Sequence, residues 1–380
     1  MTDPTVEAST DDRRRHASEA YARGALTEAI AIQQAIPRET PHDSLFLGLL
    51  LHAAGRFAES ASVLRDGATQ FPGEPAIHEN LAVLLIATGD IAGAIAAGQT
   101  ALAMGSDSPN VHDCLADAYN RIGRRDLAIA AGKAALEAKD RRFGVGESLP
   151  TAILPPFNPL NPAENVIAYG LWGNEPRYHA PLLENARIQP HLFPGWTIRI
   201  YHDDTVDPGY LRTLASHGVD LRPVALPPGV PPLRRLLWRF AVIADPTVCR
   251  FLIRDADSLL SVKERVAVDA WLQSCYPFHA MRDWFTHTDL LLAGLWGGVG
   301  GLLPPVETLL GRYTAWRLEY DHVDQDLLAE TVWPLIRDRV LIHDSVFTGC
   351  LGSVPFPPYG ALPDGFHVGQ NAFVHFARQG

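Results

Sequence analysis

The chain has 380 residues, 47% of them hydrophobic and 20% charged, which describes a globular protein with room for two cored domains. Its formal charge of −11 argues against a broadly basic surface for nucleic acid or anionic membrane. Four cysteines (Cys114, Cys249, Cys275, Cys350) lie far apart, with neither a disulfide framework nor a zinc knuckle, and predict reduced thiols in a cytoplasmic protein. The N-terminal stretch MTDPTVEASTDDRRRH is too polar for a signal peptide. The longest apolar run, Leu45 to Ala54, is broken by Gly48 and His52 and is too short to span a bilayer. The expectation is a chain with no integral membrane segment and no nucleic-acid partner.

From residue 41 to about 144 the chain repeats itself. Pro41, Pro75 and Pro109 are 34 residues apart, and Gly55, Gly89 and Gly123 keep the same step. The glycines open similar phrases, GRFAES, GDIAGA and GRRDLA, and an earlier GALTEA at Gly24 fits at an irregular spacing. Leu47-Gly48, Leu81-Ala82 and Leu115-Ala116 recur in the first helix, and Ser60, Ala94 and Ala128 in the second. Paired amphipathic helices on this period resemble the tetratricopeptide repeat, although the usual early aromatic is missing. The resemblance implies a curved helical surface, over residues 1–145, that binds a peptide or protein. A cap or dimerisation element is the alternative.

Residues 146–163 carry the five prolines of ESLPTAILPPFNPLNPAEN and predict an extended linker or strap. Beyond it, strand-like and helical runs alternate. NVIAYGLWG predicts a strand, YHAPLLENARIQPHLF a helix, TIRIYHDD a strand, LRTLASHG a helix and VDLRPVAL a strand. RRLLWRFAVIAD then predicts a helix and CRFLIRDAD a strand. That order implies a mostly parallel sheet with ligands at the carboxyl ends of its strands.

One such end carries Asp255 and Asp257. Carboxylates one residue apart in extended chain share a face. At separations of roughly 4–6 Å they repel by about 1 kcal/mol in water and about 4 kcal/mol at an effective dielectric of 20. A hard divalent cation, which also takes diphosphate oxygens, relieves that repulsion. Ser261 and Glu264 follow as a capping box for the next helix, which puts the aspartates in the loop at the sheet edge.

With WRFAVIADPTVCRFLIRDADS as its strongest segment, the region 164–380 resembles a nucleotide-sugar-dependent glycosyltransferase of the GT-A fold. The resemblance implies Mn²⁺ or Mg²⁺ held by Asp255 and Asp257 against the diphosphate of a donor, with a UDP-sugar favoured. It further implies a nucleotide loop at Tyr169, Gly170, Leu171 and Trp172, and an arginine, Arg239, before the D-x-D strand. DQDLLAETVWPLI is similar to the D-Q segment of glycogenin-like and lipopolysaccharide-type transferases, and places Asp324 and Gln325 near the reacting sugar. The resemblance implies a third metal ligand, His343 in VLIHDS or else His367. It also implies that Ala293, Gly294 and Trp296 let the sugar approach the backbone.

Further residues come from position alone. Arg235 and Arg239, four apart in the expected helix, share one face and can meet phosphate, with Arg234 beside them. Asp283 in MRDWFTH can serve as a base toward an acceptor. Tyr169 and Trp172 can stack on a base or belong to the core, and YHDD at 201–204 can contact base or ribose. DLLLAGLWGGVGG lacks a G-K-[ST], so it is not a P-loop; a tight turn between strands is the alternative to a sugar contact. Asp324 can instead be the N-cap of a helix over 325–336.

The expected function is a metal-dependent transfer of a sugar from a nucleotide-sugar to a protein, glycan or lipid-linked acceptor recruited by the repeats. Stereochemistry, sugar and base stay open. Two alternatives remain: a phosphatase of the haloacid dehalogenase type, and a non-catalytic repeat scaffold whose α/β half only binds ligand. Against the phosphatase, two strands and their helices precede Asp255, whereas that family's nucleophile opens the domain.

Overall fold

The computed structural model describes residues 9–146, 148–151, 153–227, 229–313, 322–360, 362–363 and 365–372. The chain divides into two compact units, Met1–Ala138 and Lys139–Gly380.

In the first unit the helices come in pairs: α1 (Thr10–Ala22) with α2 (Leu26–Gln34), α3 (Pro41–Ala53) with α4 (Phe57–Gln70), α5 (Pro75–Thr88) with α6 (Ile91–Ala103), and α7 (Pro109–Arg121) with α8 (Arg125–Phe143). The periodic prolines each open the first helix of a pair, where a missing N–H costs nothing and φ is already helical. The periodic glycines turn the chain between the helices with φ of 71°, 83° and 76° at Gly55, Gly89 and Gly123, a region glycine enters without strain. Gly24, off the 34-residue step, makes the same turn at φ 76°, so the irregular first phrase is a fourth helix pair.

Small residues set the helix spacing. A Cβ on Gly48 would sit 2.9 Å from the Leu64 side chain, and Ser60 Oγ donates to the Gly48 carbonyl at 2.8 Å. Leu47, Leu50 and Leu51, then Leu81, Leu84 and Leu85, then Val111 and Leu115 fill successive layers of the core. The division between units falls inside α8. From Lys139 onward its side chains serve the second unit, where Lys139 Nζ meets Asp289 at 2.6 Å and Asp140 accepts from the Trp333 indole at 2.8 Å.

The second unit is built on a seven-stranded sheet of order β3-β2-β1-β4-β6-β5-β7. Its strands are β1 (Asn165–Leu171), β2 (Thr197–His202), β3 (Asp220–Pro223), β4 (Arg250–Arg254), β5 (Phe278–Arg282), β6 (Leu295–Val299) and β7 (Val340–Asp344). The sheet is mixed: β6 alone runs against its neighbours β4 and β5, and the other pairings are parallel. Alternation along β1 sends Val166 and Ala168 into one core and Ile167, Tyr169 and Leu171 into the other. Both faces of the sheet are therefore covered, one by α9 (Pro176–Leu192), α10 (Pro208–Ser216) and α11 (Val262–Leu272), the other by the run Pro232–Ala244 and α12 (Val306–Leu310) among other elements.

Three local expectations change. Residues 289–301 do not form a tight turn: Gly297 and Gly298 lie inside β6, paired with Leu252 and Phe251 of β4. Side chains there would overlap the Phe251 carbonyl and the Phe278 ring, so the glycines let a central strand pack closely. The run Pro232–Ala244 is a 3-10 helix rather than an α-helix. The helix expected over 325–336 starts earlier, as α13 (Val323–Leu327), and passes through a π turn at Leu328–Val332 into α14 (Trp333–Ile336). His322 occupies its N-cap, so Asp324 sits within the first turn and is not the cap.

Candidate functional site

At the carboxyl ends of β1 and β4 the second unit has a cavity of about 290 Å³. Gly170, Leu171 and Trp172 from the end of β1, Tyr178 from α9, and Leu236 and Arg239 from the 3-10 helix line it. Asp255, Ala256 and Asp257 from the loop after β4, with Gly369 and Asn371 near the C-terminus, complete it. The loop is held from below. Arg254, the last residue of β4, is buried and donates from Nε to Glu264 at 2.5 Å and from Nη1 to the Trp296 carbonyl at 3.0 Å. Glu264 thus gives only its backbone N–H to the Ser261 cap, at 3.2 Å, and spends its carboxylate on Arg254.

Asp255 and Asp257 share the cavity but not their partners. Asp255, with its side chain 42% exposed, pairs with Arg239. Asp257 accepts from the Asn371 amide at 3.0 Å, and its carbonyl takes the Ala372 N–H at 2.8 Å. Burial, reinforced by the neighbouring Asp255 charge, pushes the Asp257 carboxyl up to about 6. Gly294 makes room for this arrangement, because a Cβ there would lie 1.9 Å from Asp255 Oδ2.

Arg239 is the hub. It is buried, its Nη1 donates to Asp255 and to the Arg254 carbonyl at 3.1 Å, and its Nη2 donates to Asp324 Oδ2 at 2.8 Å. Burial opposes its charge, yet Asp255 and Asp324 together hold its pKa above the ordinary value. Asp324 is itself buried, which raises its pKa against the pull of Arg239. Arg239 pairs with Asp255 and Asp324, and the charges of Arg239 and the exposed Arg177 both act on Asp257, so three carboxylates face two guanidiniums when all are ionised.

The other expected residues go elsewhere. Arg235 turns to Asp203, at 3.0 Å. In a 3-10 helix residues four apart are offset by roughly a third of a turn, so Arg235 and Arg239 do not share a face. Arg234 pairs with Glu307 at 2.6 Å. Tyr169 is fully buried under the sheet, with its hydroxyl 3.4 Å from the Asn185 amide, whereas Trp172 lines the cavity edge-on to Trp238. Trp296 is fully buried against Phe240 and Phe251, and the space beside Gly294 holds the Asp255 carboxylate.

His343 forms a buried pair with His279, ring nitrogens 2.8 Å apart, and its ring packs on Phe356. His367 stacks on Trp284 with ring centroids 4.8 Å apart. The structure brings neither histidine to the aspartate pair, and among the described residues no group of three His, Cys, Asp or Glu is arranged to hold a metal. Asp283 is buried in an ion pair with Lys263, accepts from Ser345, and takes the Val368 N–H at 2.7 Å. That anchors the C-terminal segment and leaves Asp283 outside the cavity lining. Gln325 Nε2 lies 3.5 Å from His322. In the stretch 201–204, Asp203 is taken by Arg235 and Tyr201 by Arg199.

Sequence reasoning missed Tyr178, Leu236, Gly369 and Asn371. Asn371 stands 114 residues from Asp257, and no local pattern links them. Cation fit rests on the donor set. Of the lining residues, the two aspartates carry hard carboxylate oxygens, the donor type that Mg²⁺ or Mn²⁺ takes.

A family model described as tetratricopeptide repeat matches residues 51–118. No curated protein matches the chain. Among solved structures, MamA from Desulfovibrio magneticus RS-1 is 16% identical over 34% of this chain and 75% of that one, with a TM-score of 0.32. An O-GlcNAc transferase mutant from Thermobaculum terrenum is 22% identical over 59% of this chain and 42% of that one, with a TM-score of 0.37. Among the described residues no helix is long and apolar enough to cross a membrane. The N-terminal region of this protein carries tetratricopeptide repeats.

Proposed function

We propose that the chain is a metal-dependent glycosyltransferase of the GT-A type, with Asp255 and Asp257 holding Mn²⁺ or Mg²⁺ at the diphosphate of a nucleotide-sugar, UDP-sugars favoured. The observation that carries this reading is the excess negative charge of a partly exposed carboxylate pair facing a cavity at the carboxyl ends of β1 and β4. A divalent ion balances that charge, and when bound it would stabilise the diphosphate as it leaves.

The chain's own residues do the rest. Asp257 lines the cavity beside Asp255, and the Asn371 amide donating to it at 3.0 Å holds its carboxylate in place. Arg239 and Gly294 fix the position of Asp255. Trp172, Tyr178 and Leu236 give the cavity apolar walls that exclude water around a bound nucleotide. The repeats serve as a protein-interaction surface, and recruitment of the acceptor through them is part of the proposal.

Thermal shifts with UDP and GDP, with and without Mn²⁺, test it. Stabilisation that needs both nucleotide and metal, and is lost in Asp257→Asn, is the expected result. Stabilisation by a phosphate mimic such as fluoroaluminate alone favours phosphatase chemistry and refutes the reading.

A further inference from the structure

We propose that Arg239 is a built-in counter-ion that competes with the metal for Asp255, and that Asp324 sets the strength of this competition by sharing the guanidinium. The inference rests on the cation reading of the Asp255–Asp257 site and adds to it a residue that tunes metal affinity.

The geometry is specific. The Arg239 guanidinium is buried and lies between two carboxylates, one from the loop after β4 and one from α13. Its third acceptor is the Arg254 carbonyl, at 3.1 Å, and its Nε has no acceptor. The buried Asp324 spends its other oxygen on the Gln325 N–H at 3.0 Å, so it is held where it is. Asp255 is the more mobile of the two carboxylates: its side chain is 42% exposed, and one of its oxygens lies beside Gly294. A cation that takes Asp255 either shares that carboxylate with the buried guanidinium or draws it away from its pair with Arg239.

From this placement the two charges have opposite effects. Removing the charge of Asp324 leaves Arg239 to Asp255 alone and strengthens the competitor. Removing Arg239 frees Asp255, but by itself it strands Asp324 as an unpaired buried charge and endangers folding. Removing both charges together avoids that cost. Asp324 is thus a positioning residue, acting on the cation site through Arg239. A residue whose only task is to grip phosphate, with no pair to Asp255, would move nucleoside-diphosphate affinity far more than affinity for metal alone.

The test titrates the full chain with Mn²⁺ in the absence of nucleotide, counting free ion by electron paramagnetic resonance. Asp324→Asn is expected to bind Mn²⁺ about three- to tenfold more weakly than the native chain. The double variant R239Q/D324N is expected to bind it about three- to tenfold more tightly, a scale set by one unit charge at contact distance in a partly screened site. General damage weakens both variants and cannot produce opposite signs. A folded double variant with native or weaker Mn²⁺ affinity overturns the inference. So does one that loses only nucleoside-diphosphate affinity, which would return Arg239 to phosphate contact. Asp257→Asn tells this failure from that of the reading beneath it: if it binds Mn²⁺ as the native chain does, or if the native chain binds none, the cation site itself is refuted and the inference falls with it.

Discussion

Replacing Gly294 with alanine places a single methyl group where the Asp255 carboxylate now lies. The new Cβ would be 1.9 Å from Oδ2 and 2.3 Å from Cγ, while real Cβ contacts essentially never fall below 3.0 Å. The carboxylate must retreat by roughly 1 Å or more, about twice the roughly 0.5 Å within which a binding constellation has to be held. Backbone strain plays no part, because Gly294 is not in the left-handed region. Moving Asp255 weakens its pair with Arg239, and since its side chain is 42% exposed the loss is only about 1–2 kcal/mol. For a unit of this size that lowers Tm by about 2–8 °C. The effect on the site is larger, since a misplacement of about 1 Å can cost on the order of a hundredfold. Calorimetry and Mn²⁺ titration of Gly294→Ala read both quantities. Gly73→Ala, where a Cβ meets open space, is the control. A Gly294→Ala protein with native Tm and native Mn²⁺ affinity would refute the account of how Asp255 is positioned.

Gly300→Ala should be more damaging to stability, because its Cβ would lie 1.9 Å from the Val248 carbonyl, and backbone cannot rotate aside as a side chain can. A loss of about 3 kcal/mol or more is expected, read as a shift in denaturant midpoint; a shift under a third of that would show that the strand edge adapts. The buried histidine pair makes the fold acid-sensitive. Burial holds His343 down to about 4 and, together with the neighbouring His343, holds His279 well below its ordinary value. The unfolded chain binds protons there from about pH 6.5 downward while the folded chain does not, so stability is full above pH 6.5 and is lost as pH falls toward 4. For His343 the loss is of order 3 kcal/mol at its limit. Denaturant midpoints for native and His343→Gln chains, taken between pH 7.5 and 4.5, should converge as pH falls. Parallel profiles would show that His343 does not carry this dependence.

The first unit was largely legible because repeat structure is local physics. A proline at the first helical position, a glycine at a left-handed turn and small residues between packed helices recur every 34 residues, each satisfying a demand of its own helix pair. Strands β1 to β4 were legible for the same reason, as were two carboxylates placed just past one of them, whereas β5 was not read from the sequence. The reversed strand β6 was not: its glycines look like a turn until Phe251 and Phe278 are seen packed against them.

What lay beyond local pattern is the identity of each side chain's partner. An α-helix and a 3-10 helix share the same apolar sequence here, yet only the tighter winding sends Arg235 to Asp203 and Arg239 to Asp255. His343 lies in the buried strand β7, and its fate depended on His279 in the adjacent parallel strand β5. Sequence alone thus determined where the repeat helices, strands β1 to β4 and the aspartate loop fall, since those follow from backbone preference and burial period. Tertiary structure alone decided which charges meet, because a buried guanidinium goes to whichever carboxylates the sheet order brings within reach, and Asp324 stands 85 residues from Arg239.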